Sequence, residues 1–147
     1  MPYTTQIDLP NAVALEGDVV SGGQPTEDTL RAAAEVGYAS VLNLCDPSEL
    51  AFDERATVER LGMRYLELPI RGAQDLTPEH ARSFDAALRD APRPLIVHCG
   101  SGNRVGALFA LRAHVCEDAT VTESLRLGRN AGLTGLERTV RAKLGGT

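Results

Sequence analysis

The stretch Leu95-Ile96-Val97-His98-Cys99-Gly100-Ser101-Gly102-Asn103-Arg104 decides how this chain is read. Leu95 to Val97 is an apolar run of strand length, entered through a turn at Pro92 and Pro94. After the arginine, Val105, Leu108, Phe109 and Leu111 to Val115 set up a helical pattern. The local order is therefore buried strand, glycine-containing loop, helix. In isolation a cysteine at a strand end is a small buried hydrophobe, and Gly-Ser-Gly is a turn. Placed between a strand and a helix and followed by Arg104, the same residues form an anion-binding cradle with a nucleophile at its floor. Backbone N–H groups of Gly100, Ser101, Gly102 and Asn103, and of the helix start, would face the guest. That field favours the thiolate of Cys99, the reactive species. Arg104 can hold a tetrahedral oxyanion through two parallel hydrogen bonds.

The surrounding chain alternates strands and helices. A short strand is expected near Asp18 to Val20, after an irregular N-terminal segment 1–15. Thr26 caps a helix through Glu35, with Gly37 as its stop. Ser40 to Leu44 reads as a strand, broken by Asp46-Pro47-Ser48, and a helix then runs to about Leu61. Met63 to Leu68 is the next strand. Thr77-Pro78 opens a helix to about Ala91. Thr120 caps another, and Leu133 to Leu144 suggests a last one. Alternation of this kind predicts a single-domain α/β fold over residues 1–147. Its sheet is mainly parallel, has four or five strands and is flanked by helices. Ligands in such sheets sit beyond the carboxyl ends of the strands. Cys45-Asp46, the loop from Pro69 to Leu76 and the cradle all fall on that edge.

Bulk properties narrow the chemistry. The 147 residues carry a net charge of −5 and no long basic run, which argues against nucleic acid as a partner. The three cysteines (Cys45, Cys99, Cys116) are widely spaced and the three histidines scattered. No metal centre, cofactor or disulfide framework is expected from them. No segment has the length of a membrane span or the pattern of a leader, so the expected location is a reducing cytoplasm without membrane contact.

The cradle resembles that of the cysteine-dependent phosphatases of the tyrosine and dual-specificity superfamily, in which five residues separate cysteine from arginine. Four separate Cys99 from Arg104. That shorter spacing is similar to a bacterial subgroup, the beta-lactamase-hydrolase-like protein phosphatases. Gly17 to Thr26 is similar to the opening of that subgroup, and Val41 to Leu44 to the superfamily's second strand. The resemblance implies a phosphomonoester hydrolase with a phosphocysteine intermediate. Cys99 would be the nucleophile, Arg104 the clamp, and an acid would sit on the loop after the third strand. Asp75 is the candidate there, with Asp46 as runner-up. His98 would support the loop without touching substrate. One departure is Val105, where the superfamily places a hydroxyl that assists the leaving thiolate. The spacing also resembles rhodanese loops, so a sulfurtransferase with a Cys99 persulfide is a rival reading. A phosphate-binding module without catalysis is another. A peroxide-driven Cys45–Cys99 disulfide requires that their two strands be neighbours, and the alternative for Cys45 is a buried apolar residue.

Overall fold

The computed structural model describes residues 7–145. A five-stranded sheet is built from β1 (Val13–Leu15), β2 (Val19–Gly22), β3 (Ser40–Asn43), β4 (Arg64–Glu67) and β5 (Leu95–His98). Their spatial order is β1-β2-β5-β3-β4, with β1 antiparallel to β2 and every other pairing parallel. Among the described residues six helices accompany it: α1 (Glu27–Glu35), α2 (Glu54–Arg60), α3 (Pro78–Asp90), α4 (Asn103–Glu117), α5 (Val121–Asn130) and α6 (Glu137–Lys143). Short 3-10 turns at Pro47–Glu49 and Ala73–Asp75 follow β3 and β4. Among the described residues no helix is long and apolar enough to cross a membrane.

Strand alternation divides the core into two layers. Leu42, Leu44, Val97 and Cys99 pack with Phe84, Leu108, Leu125 and Val140, so α3 to α6 cover one face. Val20, Val41, Tyr65 and Ile96 pack with Leu30 and Val58, so α1 and α2 cover the other. All four residues of β2, β3 and β5 are buried, as parallel strands sandwiched between helices must be. β5 lies at the centre, between β2 and β3. The cysteine loop therefore leaves the middle of the sheet, where flanking loops from both sides can reach it.

Three expectations need correction. The stretch that reads as irregular ends in β1, which pairs with β2 across Glu16-Gly17-Asp18. Gly17 (φ +78°) and Asp18 (φ +59°) both take left-handed backbone there, a hairpin turn too short to announce itself. The helix expected after Ser48 is a 3-10 turn followed by α2, because Asp46 and Asp53 each cap a separate element. The last helix starts at Glu137 rather than Leu133. Residues 133–136 form a loop whose Thr134 and Leu136 amides donate to Asn103 Oδ1 at 2.9 and 3.3 Å.

Candidate active site

Cys99 follows the last residue of β5, and its N–H donates to the Gly22 carbonyl at 3.2 Å. The next two carbonyls point outward. Gly100 O accepts from Gln24 N at 3.3 Å, and Ser101 O accepts from Asn11 Nδ2 at 2.8 Å. In a trans peptide the N–H points opposite to the C=O, so the amides of Ser101 and Gly102 turn inward. The Gly102 N–H donates to Cys99 Sγ at 3.1 Å. Gly102 sits at φ +102° just before α4, a conformation that favours glycine. The first intrahelical bond is Gly106 N to Gly102 O, so the amides of the first turn of α4 have no partner within the helix.

Arg104 folds back over the loop. A Cβ on Gly100 would lie 3.0 Å from its Nη2, so glycine leaves the space the guanidinium occupies. Nη1 donates to Glu49 Oε2 and Ile70 O, each at 2.9 Å, and Nη2 donates to Glu49 Oε1 at 2.7 Å. Of the five guanidinium protons, Nε–H and one on Nη2 have no acceptor among the described residues. They lie side by side on the other edge, the arrangement that holds two oxygens of a tetrahedral anion. The Arg104 hydrogen bonds hold Glu49 below the usual carboxylate range. In return Glu49, with Cys99, keeps the guanidinium firmly charged. Sequence reasoning missed Glu49. Its spacing from Asp46 does signal a capping box, which the structure contains, but a cap says nothing of a distant arginine.

Asp75 lies in the 3-10 turn after β4, as expected of a residue on that loop. Its Oδ2 accepts from Arg71 N at 2.8 Å, and His80 Nε2 is 3.8 Å from Oδ1. The neighbouring Ile70 carbonyl is the one that binds Arg104, so this loop flanks the cradle. Asp46 is engaged differently. Ser48 Oγ and N and Arg71 Nε all donate to it. Those bonds, Ser48 first, lower its pKa, which keeps it ionised and unsuited to donating a proton.

His98 is fully buried on the opposite face of β5, with Nε2 2.6 Å from Glu54 Oε2. Glu54 is also fully buried, and nothing in the sequence sets it apart from the other acids of that segment. Asn103 presents its side chain to the loop before α6, which leaves its backbone N–H as its offer to the cradle. Val105 is fully buried among the α3–α6 layer. Cys45 leaves β3 beside β5, so the two strands are neighbours. Burial, then Glu49, pushes its thiol up to about 12. It therefore stays protonated near neutrality. Beside the cradle, a cleft of about 430 Å³ opens between Gln24-Pro25-Thr26-Glu27 and Ala51-Phe52.

Comparison with known proteins adds a family. Residues 14–115 match the profile described as "Beta-lactamase hydrolase-like protein, phosphatase-like domain". The chain belongs to this family. A beta-lactamase hydrolase-like protein of Xylella fastidiosa (strain Temecula1) is 33% identical over 94 residues, which are 60% of this chain and 22% of that protein. The chain thus spans about a fifth of the length of the curated relatives it matches. Among solved structures, Tk-PTP in its active form superposes with a TM-score of 0.68 at 23% identity, over 92% of this chain and 96% of that one. TpbA of P. aeruginosa, crystallised in complex with pTyr, gives 0.62 at 18% identity over 92% and 89%. Both likenesses concern the fold. The phosphatase-like domain family thus accords with the resemblance of the cysteine loop.

Proposed function

We propose that this phosphatase-like domain hydrolyses phosphomonoesters through a phosphocysteine. The observation that carries this reading is the Gly102 N–H aimed at Cys99 Sγ. It puts an amide donor on the sulfur at the floor of a loop whose Ser101 amide turns the same way. Phosphate oxygens would rest on those amides and on the free edge of Arg104, which neutralises charge in the transition state. Cys99 Sγ attacks phosphorus in line. The P–S bond forms as the bond to the leaving oxygen breaks, and Asp75 gives that oxygen its proton. Water then attacks phosphorus and releases inorganic phosphate and the Cys99 thiolate. The substrate is a phosphorylated protein or small molecule. TpbA's complex with pTyr makes an aryl phosphate the first to assay.

Two variants probe the steps. Asp75→Asn should lower kcat on phenyl phosphate by about 10²-fold. The loss on p-nitrophenyl phosphate should be smaller, since its leaving group needs less help. Equal turnover of variant and parent on phenyl phosphate would remove Asp75 from the mechanism. Val105 offers no hydroxyl to the thiolate that leaves in the second step. A stopped-flow burst of about one equivalent of p-nitrophenol, followed by a slower steady rate, is therefore expected. Val105→Thr should raise the steady rate and shrink the burst. A parent without a burst places the slow step elsewhere.

A further inference from the structure

The pleat sends Cys99 and His98 to opposite faces of the sheet. Cys99 joins the layer under α3 to α6, whereas His98 shares the parity of Ile96 and faces α2. There it meets Glu54, the first residue of α2. Both side chains are 0% exposed. Glu54 Oε2 lies 2.6 Å from His98 Nε2, and Glu54 Oε1 has no hydrogen-bond partner among the described residues. Burying a carboxylate with one oxygen unserved is costly. An apolar side chain would fill the same volume without that cost, so packing does not account for an acid at position 54.

The other ring nitrogen of His98 supplies the account. Nδ1 is 3.3 Å from the Cys99 carbonyl oxygen, which can only accept a proton. Nδ1 therefore faces an oxygen that can only accept, and Nε2 faces one that accepts when the Glu54 carboxyl is ionised. A ring with two N–H groups satisfies both, and the Glu54 carboxylate balances its charge. The resulting dipole has its positive end toward Cys99 and its negative end in α2.

We propose that Glu54 is a positioning residue for the cysteine cradle, holding His98 as a doubly protonated ring whose positive end stands behind Cys99. It rests on the reading of Cys99 as the nucleophile and acts on the sulfur only through His98. The other ionisable groups bearing on this region are Cys45 at the end of β3, Tyr65 of β4, Glu49 of the 3-10 turn and Arg104 of α4. A change confined to position 54 leaves all four in place.

The test is Glu54→Gln, which keeps the shape and removes the charge. Cys99 alkylation by iodoacetamide is followed against pH on its own peptide by mass spectrometry. The midpoint should rise by about half a pH unit to one unit, because the cationic ring is lost. Below that midpoint, kcat/KM for p-nitrophenyl phosphate should fall by the same factor, about three- to tenfold. In a His98→Asn background the same substitution should have no further effect on either readout. An unmoved midpoint, or an equal loss in both backgrounds, overturns the proposal. If Glu54→Gln does not fold, the parent decides. Nitrogen-15 spectra of labelled histidine should show both His98 ring nitrogens protonated at neutral pH, and one bare nitrogen overturns the proposal. Alkylation needs no turnover. A parent that fails to release phosphate while its midpoint still responds to position 54 removes the phosphatase reading and leaves the action of Glu54 on Cys99 standing.

Discussion

Cys99→Ser is expected to lower phosphate release from p-nitrophenyl phosphate by at least about 10⁴-fold, while the protein keeps its affinity for phosphate or phosphopeptide. A serine hydroxyl placed under the same amides is far less ionised than a thiol. Among the described residues only Gly102 N hydrogen-bonds Cys99 Sγ, as a donor, so no base there stands ready to take the proton of a serine. The binding groups are untouched by the change: the inward amides, the free edge of Arg104 and the Glu49 strut belong to other residues. Calorimetric titration with vanadate or a phosphopeptide beside the kinetic assay separates the two effects. A variant with more than about one percent of parental turnover would end the nucleophile assignment. A parent that binds equally well but never turns over would make the domain a phosphate reader, and buried Val105 would then explain the arrest. Thiocyanate formed by the parent from thiosulfate and cyanide would favour sulfur transfer on the same thiol.

Gly106→Ala is expected to destabilise the fold by about 3 kcal/mol or more, with a fall in Tm on the order of 10 °C. A Cβ at this position would stand 2.1 Å from Leu133 N, 2.6 Å from Leu133 Cα and 2.7 Å from Gly128 O. All three are backbone atoms of the α5 end and the loop beyond it, so no side chain can swing aside. The strain would also reach the cradle. Gly106 N makes the first bond of α4, and the displaced loop is the one that Asn103 grips through Thr134 and Leu136. Thermal and urea melts of the variant measure the effect. A change under 1 kcal/mol would mean that α4 and this loop can move apart at little cost.

Much of the strand and helix order was legible from local chemistry. Thr26, Thr77 and Thr120 cap α1, α3 and α5 by accepting, through their side chains, from the backbone amide three residues further on. Leu95 to His98 is a strand with the boundaries its apolar run implies. These signals lie within a few residues of one another, so a linear reading captures them. The pairing of β1 was missed because three residues carry too little pattern, and their partner is supplied by a turn. The start of α6 was misplaced because Asn103, some thirty residues earlier, captures the amides that would have begun it.

The same division runs through the candidate site. Cys99, the glycines and Arg104 are contiguous, and their order alone implied a strand-end nucleophile beneath backbone amides. Which carbonyls point outward, and so which amides point inward, depended on Asn11 and Gln24 arriving from the chain's beginning. Glu49 and Glu54 are ordinary acids in the sequence, one near a proline and one at a helix start. Only the order β2-β5-β3 carries the first to Arg104 and buries the second against His98. Local backbone preference acts over a single turn of chain. Partner choice for a charged side chain depends instead on which distant segments the packed sheet brings within hydrogen-bond reach.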